Sequence, residues 1–170
     1  MKEKFPYPGN PVKVTSEMCD MNGHMNVADY ARIFDDGSVE LYNDMGFGQE
    51  YFKKGFSCFT LEMNIQYLEE LIEGQTAFPY YRIIDINPKL IHYGGILLTE
   101  EGRLSATNEQ MLVHIDMSKR KSSEMPEEMY NNLKLMCEEH NKSGGVDFAR
   151  RVKMRKLFTR YQLMFSVHPL

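Results

Sequence analysis

Four polar residues at alternate positions could do chemistry together: Asp20, Asn22, His24 and Asn26. If the segment is extended, these side chains project to one side of the chain. A carboxylate, an imidazole and two amides that converge in this way provide a base and hydrogen-bond donors, which hydrolysis at a carbonyl group requires. We therefore treat residues 20–26 as a candidate catalytic segment.

Two other interpretations of this segment stay open. Asp20, Asn22 and Asn26 are also typical of a turn followed by a helix cap. Cys19 could act as a thiol nucleophile beside His24. In an extended segment, however, the side chain of Cys19 points away from that of Asp20, which favours a place in the core. The five histidines show no metal-ligand spacing, so we expect no metal, and we predict no cofactor.

A strand and a helix must position the segment. Residues 12–20 resemble a short strand that ends at the Asn22–Gly23 turn signal. Asn26 is a suitable helix N-cap, and apolar residues at helical spacing continue from there to a stop at Gly46. Gly37 lies inside this helix, where it costs about 1 kcal/mol relative to alanine, so we expect it to bend the helix or admit close packing.

The pattern then changes to the alternation of a strand with one buried face. Residues 59–67 alternate apolar and polar side chains, and further extended runs cover residues 78–86, 90–99 and 104–117. Short separators that contain Gly or Pro favour antiparallel neighbours. This order predicts an α+β fold in which the sheet wraps the N-terminal helix. A second, more polar helix is predicted over residues 126–140.

Composition and charge limit the class of protein. The 170 residues are 42% hydrophobic and 26% charged, which fits one globular domain. The net charge is −4, but the chain from residue 144 onward carries +5, which leaves −9 for the body and argues against nucleic-acid binding. No apolar run approaches the roughly 20 residues of a membrane span. Three scattered cysteines favour the cytoplasm.

The run from Asp20 to Tyr30 resembles the D-x-N-x-H-x-N-x-x-x-Y signature of hotdog-fold acyl thioesterases. Three later segments also look like that family: residues 59–68 like its second strand, Gly74 like the glycine that opens its third strand, and residues 108–116 like its last strand. The resemblance covers roughly residues 12–140.

The resemblance implies a hotdog domain over residues 1–142, with residues 143–170 as a basic amphipathic extension. It also implies homodimers or tetramers that bind acyl-CoA or acyl-carrier thioesters between subunits. Plant acyl-carrier-protein members of the family use four residues that match Asp20, Asn22, His24 and Glu62 here. Asp20 or Glu62 is then expected to activate water or attack directly. Asn22 and His24 would position the water or stabilise the oxyanion.

A narrower resemblance concerns the substrate. Residues 85–92, 106–111 and 114–116 look like thioesterases of carnitine breakdown, which release betaine from betainyl-CoA. A quaternary ammonium group favours an aromatic box. Four aromatic residues could form one, although core packing is the alternative: Tyr30, Phe34, Tyr67 and Tyr93.

Four residues are expected to bind the substrate. Asn26 and Tyr30 lie next to the candidate catalytic segment, and Lys119 and Arg120 could contact the phosphates of CoA. Two other functions stay open, namely a non-catalytic acyl-CoA-binding sensor and a hotdog hydratase or dehydratase. The joint presence of the four matched polar residues favours a hydrolase.

Overall fold

A computed structural model describes residues 1–154 of the chain, and its centre is an antiparallel seven-stranded sheet. Four long strands run in the spatial order β4-β5-β6-β3, and β1 continues the sheet beyond β4. The short strands β2 and β7 pair with β4 and β6. The strands are β1 (Tyr7–Pro8), β2 (Val12–Lys13), β3 (Phe56–Tyr67), β4 (Thr76–Ile86), β5 (Leu90–Leu98), β6 (Leu104–Asp116) and β7 (Lys121–Ser122). The four long predicted strands are therefore confirmed.

The helices are α1 (Val27–Asp36), α2 (Val39–Asp44), α3 (Gln49–Lys53) and α4 (Glu127–Asn141). Asn26 caps α1 as predicted, because its Oδ1 accepts a hydrogen bond of 2.9 Å from the amide of Ala28. None of the helices in residues 1–154 combines the length and the apolar character of a membrane-spanning segment.

The single helix predicted from Asn26 to Gly46 is interrupted after Asp36. A Cβ atom on Gly37 would lie 2.4 Å from the hydroxyl oxygen of Tyr81, so only glycine admits this tyrosine so close to the helix. The Tyr81 hydroxyl donates a hydrogen bond of 3.2 Å to the carbonyl of Ile33. Close packing at Gly37 thus accompanies the end of α1, which satisfies both expectations for this glycine.

The main core lies between α1 and one face of the sheet. Tyr30, Ile33 and Phe34 on α1 are at most 4% exposed and belong to one cluster with strand residues that include Tyr81 and Leu112. Burial of such large apolar side chains is the main stabilising contribution to the fold. The core therefore fixes α1, and with it the segment that precedes α1, against the sheet.

The strand predicted over residues 12–20 is wrong for most of its length. Only Val12–Lys13 is a strand, and Ser16–Met18 forms a turn of 3-10 helix. The amides of Met18 and Cys19 bond to the carbonyls of Thr15 and Ser16. These local hydrogen bonds replace the ladder bonds that a longer strand would need.

The outer face of the sheet, opposite α1, is covered by residues that follow α4. Val152 is 2% exposed and packs on Leu90, Met111 and Val113. The amide of Arg151 donates a hydrogen bond of 2.6 Å to Glu109. Residues 155–170, which carry most of the predicted amphipathic stripe, lie outside the described residues, and the division at residue 142 stays a prediction.

Candidate active site

The candidate catalytic segment forms a tight turn rather than the extended strand we expected. The amide of Asp20 bonds to the carbonyl of His24 at 3.0 Å, and the amide of Gly23 bonds to the carbonyl of Asp20 at 3.0 Å. A bridge between Cys19 and Met25 closes the base of the turn. Gly23 has a φ of +82°, a conformation that a glycine adopts without strain. The simple alternation of side chains therefore does not apply here.

The turn nevertheless brings three of the predicted catalytic residues together. Asp20 Oδ1 accepts a hydrogen bond of 2.8 Å from the amide of Asn22, and Asp20 Oδ2 accepts one of 3.3 Å from its side chain. His24 Nδ1 lies 3.9 Å from Asp20 Oδ1. The result is a half-exposed cluster of a carboxylate, an amide and an imidazole.

Cys19 is partly buried and packs against the main core. This position agrees with the core alternative that we gave for the residue.

The two predicted binding residues near the turn have structural partners. The side chain of Asn26 is engaged as the cap of α1. Tyr30 is 4% exposed, and its hydroxyl accepts a hydrogen bond of 3.2 Å from the amide of Leu71. The same hydroxyl donates a bond of 3.5 Å to the carbonyl of Glu69. Tyr30 thereby fixes the segment after β3 against the start of α1.

A pocket of about 240 Å³ lies beside His24. Tyr30 and Tyr67 form part of its wall, with their rings edge to face and the centroids 5.1 Å apart. Partial burial raises the pKa of the Tyr67 phenol, and the neighbouring Tyr30 raises it further, so this phenol stays protonated at neutral pH. The pocket is lined by His24, Met25, Val27, Tyr30, Tyr67, Leu68, Glu69 and Glu70.

Two glutamates that line this pocket are not among the site residues predicted from the sequence. Glu69 and Glu70 follow the end of β3, outside the alternating pattern that drew attention to the strand. The available signal was the turn at Gly74, which returns the chain and brings Ile72 into a bridge with His24. A carboxylate just before such a turn lies next to the candidate catalytic segment.

Glu62, Lys119 and Arg120 are not next to His24 within one chain. Glu62 pairs with Met111, and the register places both on the outer face of the sheet, whereas α1 lies on the inner face. Lys119 and Arg120 follow β6 near Asp116, which pairs with Phe56 at the start of β3. The pocket beside His24 adjoins the other end of this twelve-residue strand, roughly 35 Å away.

A larger pocket of about 520 Å³ lies between the first three helices and the start of β3. Its wall includes the carboxylates of Asp35 and Asp36 and the rings of Tyr42, Phe47 and Phe52. Cys58 also lines it, and burial raises the pKa of its thiol to about 12, so the thiol stays protonated. This pocket is acidic and aromatic, and it carries no thiolate nucleophile.

The sequence family described as the thioesterase-like superfamily matches residues 14–133, which include the turn and the first pocket. The chain belongs to the thioesterase-like superfamily. The family match confirms the resemblance that we inferred from the Asp20 to Tyr30 run.

Curated relatives of this thioesterase-like chain have names that agree with its family. The L-carnitine dehydrogenase/betainyl-CoA thioesterase of Rhizobium meliloti is 34% identical over 140 residues, which cover 82% of this chain and 28% of that protein. The chain therefore spans less than a third of that relative. The betainyl-CoA thioesterase of Pseudomonas aeruginosa is 28% identical over 129 residues, which cover 75% of this chain and 81% of that protein.

Solved structures confirm the hotdog thioesterase fold of the chain. A Staphylococcus aureus protein determined in complex with CoA superposes with a TM-score of 0.72 and 28% identity, over 87% of this chain and 94% of that one. The probable thioesterase YbaW of Escherichia coli gives a TM-score of 0.66 at 17% identity, over 77% of this chain and 99% of that one. The second likeness supports the fold alone.

Proposed function

We propose that this chain hydrolyses an acyl-CoA thioester to a free acid and CoA. The cluster of Asp20, Asn22 and His24 at the start of α1, beside an open pocket, is the observation that carries the proposal. The names of the relatives and the bound CoA of the Staphylococcus aureus structure support the thioester as the substrate class.

The start of α1 supplies the electrostatic part of this chemistry. The first amides of a helix lack intrahelical partners, and the helix dipole is positive there. A thioester carbonyl placed near Val27 would have its developing negative charge stabilised by this helix end. In our proposal Asp20 orients His24, and Asn22 and His24 hold the attacking water near the carbonyl carbon.

The proposed active form is a homodimer formed through β3. Within residues 1–154, β3 pairs only with β6 and leaves its other edge open. Such an edge is a template for pairing with another strand. Exposed apolar side chains lie along β3 and on the neighbouring helices, and a dimer would cover them: Val27, Val39, Phe52, Met63 and Tyr67.

A twofold dimer through β3 would join the two pockets. Antiparallel pairing of β3 with its copy places the start of one strand beside the end of the other. The larger pocket of one chain, near Cys58 and Thr60, would then face the partner subunit's His24. Lys119 and Arg120, near the start of β3, would approach the same composite site and contact CoA phosphates.

The larger pocket favours a small cationic acyl group such as betainyl. Carboxylates at Asp35 and Asp36 attract a positive charge, and the aromatic rings nearby suit a quaternary ammonium group. The two relatives named betainyl-CoA thioesterase support the same choice. A cytoplasmic location and a tetramer formed by two dimers stay predictions.

The decisive experiment follows the release of free CoA thiol from a panel of betainyl, acetyl, long-chain and aromatic acyl-CoA substrates. We expect turnover, with betainyl-CoA preferred over acetyl-CoA. Binding of the panel without release of CoA would contradict the proposal and support a non-catalytic sensor. An enoyl-CoA is included as a further substrate, and its hydration without CoA release would support a hydratase instead.

A further inference from the structure

We propose that Glu70 is the general base that activates the attacking water, a role that the sequence analysis gave to Asp20 or Glu62. The inference rests on the proposed acyl-CoA hydrolysis and assigns one of its catalytic residues. It follows from the placement of Glu70 beside the candidate catalytic segment, from the partners of the competing carboxylates, and from the shared pocket with His24.

Backbone pairing places Glu70 next to the start of α1. His24 and Ile72 form an antiparallel bridge, and the amide of Met25 donates a hydrogen bond of 2.7 Å to the carbonyl of Leu71. Continued by two residues along each segment, this antiparallel register would place Glu70 alongside Asn26. In this register His24 and Glu70 are diagonal neighbours on one side, a separation of about 7–8 Å that long side chains can bridge.

The pocket gives these two side chains a common space. His24 and Glu70 both line the cavity of about 240 Å³, together with the apolar walls of Val27 and Leu68. A water molecule between the imidazole and the carboxylate would therefore lie at the N-terminal end of α1. That is the end of the helix where the carbonyl oxygen of a thioester is best stabilised.

The competing carboxylates have other partners. Glu69 Oε1 accepts a hydrogen bond of 2.8 Å from Arg103 Nε, which turns it toward the start of β6. Asp20 holds the turn through two hydrogen bonds from Asn22. Glu70 is exposed and makes no side-chain hydrogen bond or ion pair with any other residue in the range 1–154, so its carboxylate can accept a proton from water.

The step balances with water as the only co-substrate. Glu70 accepts a proton from water as the water oxygen bonds to the thioester carbonyl carbon, and the carbonyl electron pair moves to oxygen. When the tetrahedral intermediate collapses, the C–S bond breaks and its electron pair leaves with the CoA sulfur. Glu70 returns the proton to that sulfur. The products are the carboxylic acid and CoA thiol.

The test compares Glu70→Gln, Glu70→Asp, Glu62→Gln and the wild-type chain by CoA release from the best substrate of the panel, over a range of pH. Glu73→Gln is the matched control, because Glu73 is an exposed carboxylate in the next turn and does not line the pocket. We expect Glu70→Gln to lower kcat by about 100-fold and to remove the acidic limb of the pH profile. Glu70→Asp should restore part of the rate, and Glu73→Gln should behave as the wild type.

Each alternative outcome overturns a different statement. If Glu70→Gln retains kcat within about threefold, or loses only substrate affinity and keeps the acidic limb, Glu70 is not the base. A large loss in Glu62→Gln with a normal Glu70→Gln returns the role to Glu62. A wild-type chain that releases CoA from no substrate overturns the proposed hydrolysis itself, and the assignment of a base falls with it.

Discussion

The imidazole of His24 and the carboxylate of Asp20 face each other across one turn, with Nδ1 and Oδ1 3.9 Å apart. The backbone bond from the amide of Asp20 to the carbonyl of His24 sets this separation. The local hydrogen bonds of these five residues hold the pair, and the bridge between His24 and Ile72 attaches the turn to the segment after β3.

Asp20→Asn tests the importance of this pair. The amide side chain can still accept the bond from the Asn22 amide, so the turn should survive, but the charge beside His24 is lost. We expect kcat for CoA release to fall by about 100-fold with an unchanged melting temperature. Asp147→Asn, which removes a surface carboxylate paired with Lys4, is the control. Wild-type activity in Asp20→Asn would contradict the proposed site.

Met63→Lys tests the dimer. Met63 is 36% exposed on β3, and a lysine on an open strand edge opposes pairing with a second strand. We expect this variant to be monomeric by light scattering and to lose most of its CoA release. Leu135→Lys places the same charge at an exposed apolar residue on α4 and should stay dimeric. A monomeric wild-type chain with full activity would contradict the composite site.

Gly37→Ala tests the close approach of Tyr81. The added methyl group would meet the Tyr81 hydroxyl at 2.4 Å and the carbonyl of Ile33 at 2.7 Å. Such overpacking typically costs about 1–3 kcal/mol of the free energy of unfolding, measurable by urea denaturation. Gly145→Ala is the control, because a methyl group there meets nothing within 4 Å. Equal stability of the two variants would show that Tyr81 moves aside freely.

Acidification should destabilise the protein through its buried histidines. Burial lowers the pKa of His114 and of His140, and the positive charge of Arg82 lowers that of His140 further. The neutral imidazole of His114 donates its Nδ1–H to the carbonyl of Ser123 at 3.1 Å and accepts from the Tyr51 hydroxyl at Nε2 at 2.5 Å. The bond to Ser123 raises the pKa of His114, but burial is the larger effect and lowers it. The folded state therefore binds fewer protons than the unfolded state.

The sign of the pH effect follows from this difference. The unfolded imidazole has the ordinary pKa of 6.5, so the stability is fully present above that pH and falls as the pH drops toward the lower folded pKa. Urea denaturation between about pH 7.5 and about pH 5.5 should show this decrease. His114→Gln keeps hydrogen-bonding groups but cannot titrate, and it should make the decrease shallower. A stability that rises on acidification would contradict the assignment.

The periodicity of apolar residues and the helix-cap residues were sufficient to predict most of the helices and strands. Asn26 and the apolar stripe predicted α1, and the alternation over residues 59–67 predicted β3, because both patterns reflect burial on one side of an element. The interruption after Asp36 was only half predictable. Gly37 indicated a bend or a close contact, but the contacting residue, Tyr81, is distant in the sequence.

The candidate site was harder to predict, for two physical reasons. Local hydrogen bonds between Asp20 and His24 replaced the extended geometry with a turn, and alternation carries no information about such bonds. Glu70 lies in an irregular segment, and it reaches the site only because the chain returns at Gly74 and pairs with the segment before α1. Register between distant segments is a tertiary property that no local pattern encodes.

The segment around Arg151 and Val152, which covers the outer face of the sheet, lies beyond the family match but contributes to the folded structure. The family match ends at residue 133. Glu109, which is buried in β6, nevertheless accepts a hydrogen bond from the amide of Arg151 at Oε1. Its other oxygen, Oε2, lies 3.0 Å from Nε2 of His92. A chain cut at the end of the match would leave a buried carboxylate short of a donor and would expose the apolar surface under Val152. Residues beyond the family match thus help to complete the hydrophobic interior.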